Sequence, residues 1–227
     1  MTQQDIVRKF DRVPAAVVRQ AAAFQPAILA DVAGRRGAMH GRIKALHPRM
    51  KFAGTAFTVE VRPGDNLMIH AAMSLAQPGD VLVIDGKGDL TAALMGTIMM
   101  TACKQLGIAG VVIDGAVRDT LEIDEMDFPV FAAGYNPNGP TKNCPGRIGH
   151  AVTVGGVTVQ AGDFVTGDAD GVVVVEREKI ESLLPAAAKK VADENARIAA
   201  IKKGDTAAKW LESALRSAGV LKEGESL

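Results

Sequence analysis

A short polar cluster, Arg118, Asp119 and Glu122, follows an apolar run and a glycine turn. The Arg118 guanidinium is a planar cation that can bond a carboxylate or an enolate through paired N–H groups. Asp119 offers a hard oxygen ligand for Mg²⁺ or Mn²⁺, ions that commonly take only one or two carboxylates and keep several waters. A structural alternative stays open, because Asp119 and Glu122 also have the spacing of a helix capping box.

A second segment, residues 96–99, adds to the chemical interpretation. It stands at or near the predicted start of a helix that runs to Leu106, with Thr97 as a natural cap. A helix start leaves amide N–H groups free, and a glycine lets an anion approach them closely. The two segments together predict a site for a metal-bound 2-oxo acid. The predicted catalytic residues are Arg118, Asp119 and Glu122, the predicted substrate-binding residues are Gly96, Thr97, Ile98, Met99 and Arg118, and the predicted metal ligand is Asp119.

Other candidate residues carry less specific signals. Lys142 and Arg147 lie in a loop rich in glycine and proline and are candidates for binding a distal carboxylate, although charges that face solvent are the commoner explanation. His70 is predicted to be a satisfied histidine of the core or of an interface, since the histidines show no metal-ligand spacing. The sequence has no dinucleotide, P-loop or zincin motif. Neither of the apolar runs predicted as strands, residues 81–84 and 111–113, carries a lysine suited to a Schiff base.

Two apolar runs, residues 81–84 and 111–113, must position this cluster. Both are rich in β-branched residues, a pattern typical of parallel strands that crossover helices cover. The segment between them is predicted to form a glycine loop over residues 85–89, followed by an apolar helical stretch. Because ligands bind outside the carboxyl ends of parallel strands, the charges that follow each run are expected at a binding edge.

The sequence as a whole predicts one α/β domain over residues 1–227, with a helical C-terminal extension over 178–227. Gly155 and Gly156 separate two short β-runs and predict a hairpin with positive φ at both glycines. Asp205 is expected to cap a short helix that contains Trp210. The other predicted elements are helices over 15–24, 26–32, from 67 and over 180–198, and strands over 55–61 and 172–175.

The composition of the 227 residues restricts the class of partner. Lys and Arg together number 26, as do Asp and Glu, so no basic surface favours nucleic acid. The N-terminal sequence lacks the apolar core of a signal peptide, and the longest uncharged stretch, residues 90–103, is too short to span a membrane. The two cysteines lie far apart and suit a reducing compartment. We therefore expect a cytoplasmic protein that binds a small molecule.

A set of motifs in order along the chain carries a family resemblance. The motifs are residues 54–59, 63–67 with His70, 78–86, 110–119, 128–132, 161–163 and 167–175. They resemble the family shared by 4-hydroxy-4-methyl-2-oxoglutarate (4-carboxy-4-hydroxy-2-oxoadipate) aldolases and the regulators of ribonuclease E activity. The resemblance covers about residues 25–200. It implies a layered α/β fold of the swivelling β/β/α type, assembled as homotrimers or homohexamers with sites between subunits. It also implies a class II aldolase that uses Mg²⁺ or Mn²⁺, releases pyruvate and a second oxo acid, and decarboxylates oxaloacetate.

The chain departs from that family at one position. In the aldolases an aspartate precedes the Arg-Asp pair by about twenty residues, and Thr97 stands there in this sequence. A neutral hydroxyl cannot act as a general base near pH 7, so another acid substitutes or the chemistry is weaker or different. Glu122 favours an aldolase over a regulator. Glu194 is the candidate for an acid that reaches a neighbouring subunit's site, although a solvated helix face explains it more simply. The alternatives are a non-catalytic regulator that binds a protein partner, or a lyase or hydratase for another oxo acid.

Overall fold

A computed structural model describes residues 5–222 and 224–227. The helices are α1 (Ala15–Ala21), α2 (Pro26–Val32), α3 (Leu67–Met73), α4 (Thr97–Gln105), α5 (Thr120–Glu125), α6 (Arg177–Lys202) and α7 (Leu211–Ser217). The strands are β1 (Lys44–Ala45), β2 (Phe52–Glu60), β3 (Asp80–Met95), β4 (Gly110–Val117), β5 (Val130–Tyr135), β6 (Arg147–Ile148), β7 (Val152–Val154), β8 (Val157–Val159), β9 (Phe164–Asp168) and β10 (Gly171–Val175). Among the described residues, no helix is long and apolar enough to cross a bilayer.

One mixed sheet organises the fold. Its strand order is β1-β5-β4-β3-β2-β9-β10, with β6 also paired to β2, while β7 and β8 form a separate hairpin. The central strands β2, β3, β4 and β5 run parallel, and β1, β9 and β10 pair antiparallel with their neighbours. Every residue of β4 is buried, as expected for the centre of a sheet covered on both faces. The predicted α/β fold with a helical C-terminal extension is confirmed.

Local turn chemistry explains two of the connections. β2, α3 and β3 form a β-α-β unit, in which β2 and β3 pair in parallel. The β7–β8 hairpin turns at Gly155 and Gly156, whose φ values are 56° and 79°. Both values lie in the left-handed region that glycine reaches without steric cost, which confirms the predicted turn.

The strand β3 is much longer than its sequence predicts. It continues from Asp80 to Met95, so the prediction of a loop over residues 85–89 that leads directly into a helical stretch is wrong. The strand leaves its register after Ile84, which pairs with Ile113, and returns at Asp89, which pairs with Gly115. Lys87 and Gly88 have φ values of 62° and 70°. The glycines therefore mark a bulge within a strand rather than its end.

The carboxyl ends of β3 and β4 lie side by side, because Met95 pairs with Val117 at the last position of their register. Gly96 and α4 follow the first strand, while Arg118, Asp119 and α5 follow the second. This pairing brings the two candidate segments together at one edge of the sheet, as the sequence predicts.

Two buried carboxylates fasten peripheral segments to the sheet. Asp80 is 1% exposed and accepts hydrogen bonds from Arg12 at 2.7 and 2.9 Å. Asp114 accepts hydrogen bonds from Arg42 at 3.1 and 2.7 Å and from the Gly155 amide at 2.9 Å. Removing one partner of such a pair leaves an uncompensated buried charge. Asp80 and Asp114 are therefore structural carboxylates.

Contacts divide the chain into two compact units, one ending at Ala188 and one spanning Lys189–Leu227. The first unit contains the sheet and the apolar core. The second contains the end of α6 and all of α7. Trp210 occupies the N-cap position of α7. The Oδ2 atom of Asp205 instead lies 3.6 Å from Nη1 of Arg197. The prediction that Asp205 caps this helix is wrong, and the single domain over residues 1–227 stays a prediction.

Candidate functional site

A cavity of about 150 Å³ opens where β3 and β4 end. Its walls come from the end of β3, the starts of α3 and α4, the β4–α5 connection and a loop that contains Lys142. The lining residues are Asn66, His70, Ala93, Leu94, Met95, Gly96, Ile98, Met99, Arg118, Asp119, Pro140 and Lys142. Most of the predicted binding and catalytic residues therefore share one cavity.

Asp119 stands at the N-cap position of α5 but does not cap that helix. Its backbone is left-handed, with φ 60° and ψ 43°, and its side chain makes no capping bond to α5. Oδ2 instead accepts a hydrogen bond from the Thr97 N–H at 3.0 Å, so the carboxylate caps α4. The capping-box alternative is therefore wrong. Strained conformations of this kind are found where the surrounding structure must aim a side chain.

Gly96 lets both charged side chains lie against the start of α4. Its φ of −147° is accessible to any residue, so the glycine provides space for these side chains rather than a special backbone conformation. A Cβ atom at this position would collide with Asp119 Oδ2 and would lie 3.1 Å from Arg118 Cγ. Arg118 Nε lies 3.7 Å from Asp119 Oδ2, and the two side chains are 42% and 37% exposed. A ligand can therefore reach both charges.

One amide at the start of α4 has no partner among the described residues. The Thr97 N–H donates to Asp119, and the Met99 N–H donates to the Gly96 carbonyl at 3.1 Å, which leaves the Ile98 N–H. Among the predicted binding residues Thr97, Ile98 and Met99, the described contacts therefore leave only the Ile98 amide free for a ligand. The cap position belongs to Gly96 rather than to Thr97. The Thr97 hydroxyl oxygen is buried without a hydrogen-bond partner.

The structure separates the remaining candidate residues. Lys142 lines the cavity, whereas Arg147 donates to Glu60 at 2.7 Å and does not line it. Glu122 is exposed in the first turn of α5, outside the cavity lining, and its catalytic role stays a prediction. Glu194 belongs to the C-terminal unit, where it lies 3.0 Å from Lys190.

Sequence reasoning missed two residues of α3 and its cap, Asn66 and His70. Both line the cavity, and both carry a buried polar atom without a partner, Oδ1 of Asn66 and Nε2 of His70. The expectation that His70 is a satisfied core histidine is therefore wrong, and the alternative of an interface histidine stays a prediction. Burial, and then the charge of Lys142, lower the pKa of His70 below its usual 6.5, so the ring is neutral near pH 7. The two residues are four positions apart and so lie on one face of the helix, and this spacing is the sequence signal that could have identified them as a pair.

Asp65 fastens the loop that carries Lys142. Its side chain accepts hydrogen bonds from the Leu67 amide at 3.0 Å, the Thr141 hydroxyl at 2.7 Å, and the Asn143 and Cys144 amides at 2.7 and 3.1 Å. Burial raises the pKa of Asp65, but these hydrogen bonds outweigh it and lower the pKa to about 2. The ionised carboxylate thus holds residues 141–144 against the start of α3.

The cavity offers few metal ligands, and these suit a hydrated hard cation better than an ion held by several protein side chains. In the described part of the chain, no group of three or more His, Cys, Asp or Glu side chains could hold a metal ion. Asp119 uses Oδ2 for the Thr97 amide and for the Arg118 contact, and no described residue bonds to Oδ1. A single carboxylate oxygen with waters is coordination that Mg²⁺ accepts. Asp119 is therefore the residue that fits such an ion.

The fold and the cavity define an α/β protein with a polar cavity at the carboxyl ends of parallel strands. Comparison with known families is more specific. Residues 15–174 match the RraA-like family described as Aldolase/RraA, and the chain belongs to this family. The resemblance drawn from the motifs is confirmed.

Three relatives illustrate the range of the family. A protein of Halalkalibacterium halodurans with the provisional name 4-hydroxy-4-methyl-2-oxoglutarate aldolase is 44% identical over 159 residues, which are 70% of this chain and 76% of that protein. A protein of Halorhodospira halophila with the same provisional name is 35% identical over 144 residues, 60% of this chain and 87% of that protein. The crystal structure of Streptomyces coelicolor RraAS2, described as an unusual member of the RNase ES inhibitor RraA family, has a TM-score of 0.76 and 27% identity, and covers 83% of this chain and 99% of that one.

Proposed function

We propose that the chain is a pyruvate aldolase that cleaves 4-hydroxy-4-methyl-2-oxoglutarate or 4-carboxy-4-hydroxy-2-oxoadipate to pyruvate and a second oxo acid, with oxaloacetate decarboxylation as a side activity. One observation carries this proposal. Arg118, Asp119 and the free Ile98 amide meet in a single cavity. The provisional names of the two relatives support the same reaction class.

The proposed role of Arg118 is to stabilise negative charge that the aldolase and decarboxylase reactions both generate. Retro-aldol cleavage and β-decarboxylation each place an electron pair on the pyruvyl group, so a site that stabilises the enolate oxygen lowers the barrier. Arg118 lines the cavity and is 42% exposed, which leaves its planar fork available to that oxygen. The Ile98 amide, at the positive end of α4, would bind the substrate's carboxylate.

A divalent cation, Mg²⁺ or Mn²⁺, forms part of the proposal, with Asp119 as its protein ligand. Such an ion would supply Lewis-acid polarisation of the 2-oxo group. The free Oδ1 of Asp119 is the contact that supports this assignment among the described residues. Lys142, at the cavity wall, would bind the substrate's distal carboxylate.

A homotrimer or homohexamer with sites between subunits is also part of the proposal. Ile98, in the cavity wall, is 84% exposed, and Leu121, two residues after Asp119, is 79% exposed. Their exposure so close to the polar cavity supports a subunit contact at this edge. A second copy would cover them, and its Glu194 would then be a candidate proton donor. Retro-aldol cleavage also needs a base to take the proton of the substrate's hydroxyl group, and the Thr97 hydroxyl cannot serve as one near pH 7.

A non-catalytic regulator is the second candidate function. Thr97 stands beside the cavity without a carboxylate, and its hydroxyl has no partner. The likeness to Streptomyces coelicolor RraAS2, a member of an RNase ES inhibitor family, favours the same alternative. Such a protein would retain the anion-binding groups and lack turnover.

The test is pyruvate formation from both oxo acids and decarboxylation of oxaloacetate, each measured with Mg²⁺ and with EDTA. We expect turnover that Mg²⁺ stimulates, lost in Asp119→Ala and retained in the control Asp124→Ala, whose carboxylate lies outside the cavity beside His47 and Arg49. Circular dichroism of both variants shows whether the fold survives. Full Mg²⁺-stimulated turnover in Asp119→Ala would refute the metal assignment, and a wild-type protein inactive on every substrate would favour the regulator.

A further inference from the structure

The Arg118 side chain is placed by packing rather than by hydrogen bonds. Its Nε lies 3.7 Å from Asp119 Oδ2, and its guanidinium group donates no hydrogen bond to another described residue. Arg42 is different, because it donates to both carboxylate oxygens of Asp114, at 3.1 and 2.7 Å. An arginine bonded in that way has fewer N–H groups left for a ligand. Placement by packing therefore keeps the donors of Arg118 available.

Two glycines lie against this side chain. At Gly96 an added Cβ atom would lie 3.1 Å from Arg118 Cγ and 3.2 Å from its Nε. At Gly139 an added Cβ atom would lie 3.1 Å from Arg118 Nη1, and it would meet no other described atom within 4 Å outside the adjoining residues. Contacts this short are tighter than those that Cβ atoms usually make. A side chain at position 139 would therefore press on the end of the guanidinium group.

The backbone does not require a glycine at position 139. Its φ lies outside the left-handed region that favours glycine, and the residue is exposed. Gly139 does not line the cavity, although Arg118 and the adjoining Pro140 do. Because the nearest atom to an added Cβ is Arg118 Nη1, a substitution here would act on a ligand through Arg118.

The backbone that carries Gly139 is fastened to β3. The Asn138 carbonyl accepts a hydrogen bond from the Ala93 N–H at 2.8 Å, and Asn138 Nδ2 donates to the Thr91 carbonyl at 3.1 Å. Moving this segment would break both hydrogen bonds, whereas a partly exposed arginine changes its rotamer at little cost. A side chain added at position 139 is therefore expected to displace the guanidinium group of Arg118 rather than the loop.

We propose that Gly139 is a positioning residue for Arg118, which leaves room for Nη1 and so fixes where the guanidinium group meets the ligand. This inference rests on the proposed function, since it adds a positioning residue to that site. The placement matters because two parallel hydrogen bonds from a planar guanidinium need both N–H groups aligned with the ligand's oxygen atoms. A displacement of about 1 Å at a reacting site can cost on the order of 100-fold in rate.

The test adds a side chain with Gly139→Val and measures the binding of oxalate, a small dianion that resembles the enolate of pyruvate, by isothermal titration calorimetry in metal-free buffer. We expect Gly139→Val to weaken oxalate binding about tenfold. Gly41→Val is the matched control and should keep the wild-type affinity. Gly41 is also exposed, its φ is also outside the left-handed region, and an added Cβ atom there would meet no described atom within 4 Å.

The same substitution in Arg118→Lys shows whether its effect passes through the guanidinium group. Lysine keeps the positive charge but has no Nη1 atom, so adding Gly139→Val to Arg118→Lys should weaken oxalate binding by less than about twofold. A general disturbance of the loop would instead cost as much in both backgrounds. That result, or unchanged oxalate binding in Gly139→Val, would overturn the inference.

Crystal structures of the wild type and of Gly139→Val test the placement without a ligand. We expect the guanidinium group to move while residues 136–139 keep their position, and a loop that moves around an unmoved guanidinium group contradicts the inference. Gly139→Ala, which adds the same Cβ atom, replaces Gly139→Val if that variant does not fold. A wild type that binds no oxalate, with a guanidinium group that moves in the variant, keeps Gly139 as a positioning residue and counts against the proposed function alone.

Discussion

Replacing Asp65 by asparagine tests how the cavity wall is held. The side chain is 2% exposed and accepts four hydrogen bonds, three of which come from residues 141–144. The pKa falls from 3.8 to about 2, and at about 1.4 kcal/mol per unit the ionised form stabilises the fold by roughly 2.5 kcal/mol. We expect Asp65→Asn to lower the free energy of unfolding at pH 7 by roughly 2 kcal/mol, because the neutral amide keeps the shape but not the charge.

The sign of the pH dependence follows from the lowered pKa. The contribution of Asp65 is fully present above the pKa of the unfolded chain, near 3.8, and is lost as the pH falls toward about 2. Urea unfolding measures the free energy of unfolding of wild type and of Asp65→Asn at pH 7 and at pH 3. The difference between the two proteins should be smaller at pH 3. Asp89→Asn is the control, because the described bonds of Asp89 reach only the neighbouring Thr91. A difference in the free energy of unfolding below about 0.5 kcal/mol at pH 7, or one that is as large at pH 3 as at pH 7, would refute the reasoning.

Two further predictions concern the reacting end of the cavity. Arg118→Lys removes the planar fork proposed to bond the enolate oxygen, and should cost on the order of 2–4 kcal/mol of transition-state stabilisation; a change of less than about tenfold in kcat/KM contradicts that role. Thr97→Asp restores a carboxylate beside the Asp119 side chain and should raise oxaloacetate decarboxylase activity if the chain has only lost catalytic power. If the site is instead adapted to another anion, calorimetry with oxalate should show weaker binding in Thr97→Asp, because negative charges repel at the helix start. Unchanged binding and absent turnover in both proteins argue against this cavity as the functional site.

The position of the site follows from signals that are local in sequence. The apolar runs within β3 and β4 predict parallel neighbours, and charges after such strands predict a site at their carboxyl edge. The register that pairs Met95 with Val117 agrees with both expectations. The length of β3 cannot be predicted from the local sequence, because a bulge that contains Lys87 and Gly88 has the composition of a loop. Pairing with β4, which lies far along the chain, decides that the strand resumes.

The roles of individual side chains depend more on distant contacts. Asp119 and Glu122 have the spacing of a capping box, yet the Asp119 carboxylate caps α4 instead of its own helix. His70 has the sequence surroundings of a core histidine, and only the placement of α3 beside the ends of β3 and β4 brings it into the cavity lining, with its Nε2 buried and unpartnered. Local propensity identifies the residue types, whereas the sheet register and the loop held by Asp65 determine which atoms face the ligand.

Binding and turnover are separable in this cavity, and that separation decides between the candidate functions. The groups suited to an anion, the Ile98 amide and the Arg118 guanidinium, depend on Gly96 and on the strained backbone of Asp119. Neither requires a carboxylate at position 97. The proton transfer of an aldolase does require a base, and Thr97 supplies only a hydroxyl. The proposed anion contacts are therefore independent of the missing base, and calorimetry beside turnover separates a regulator from an aldolase.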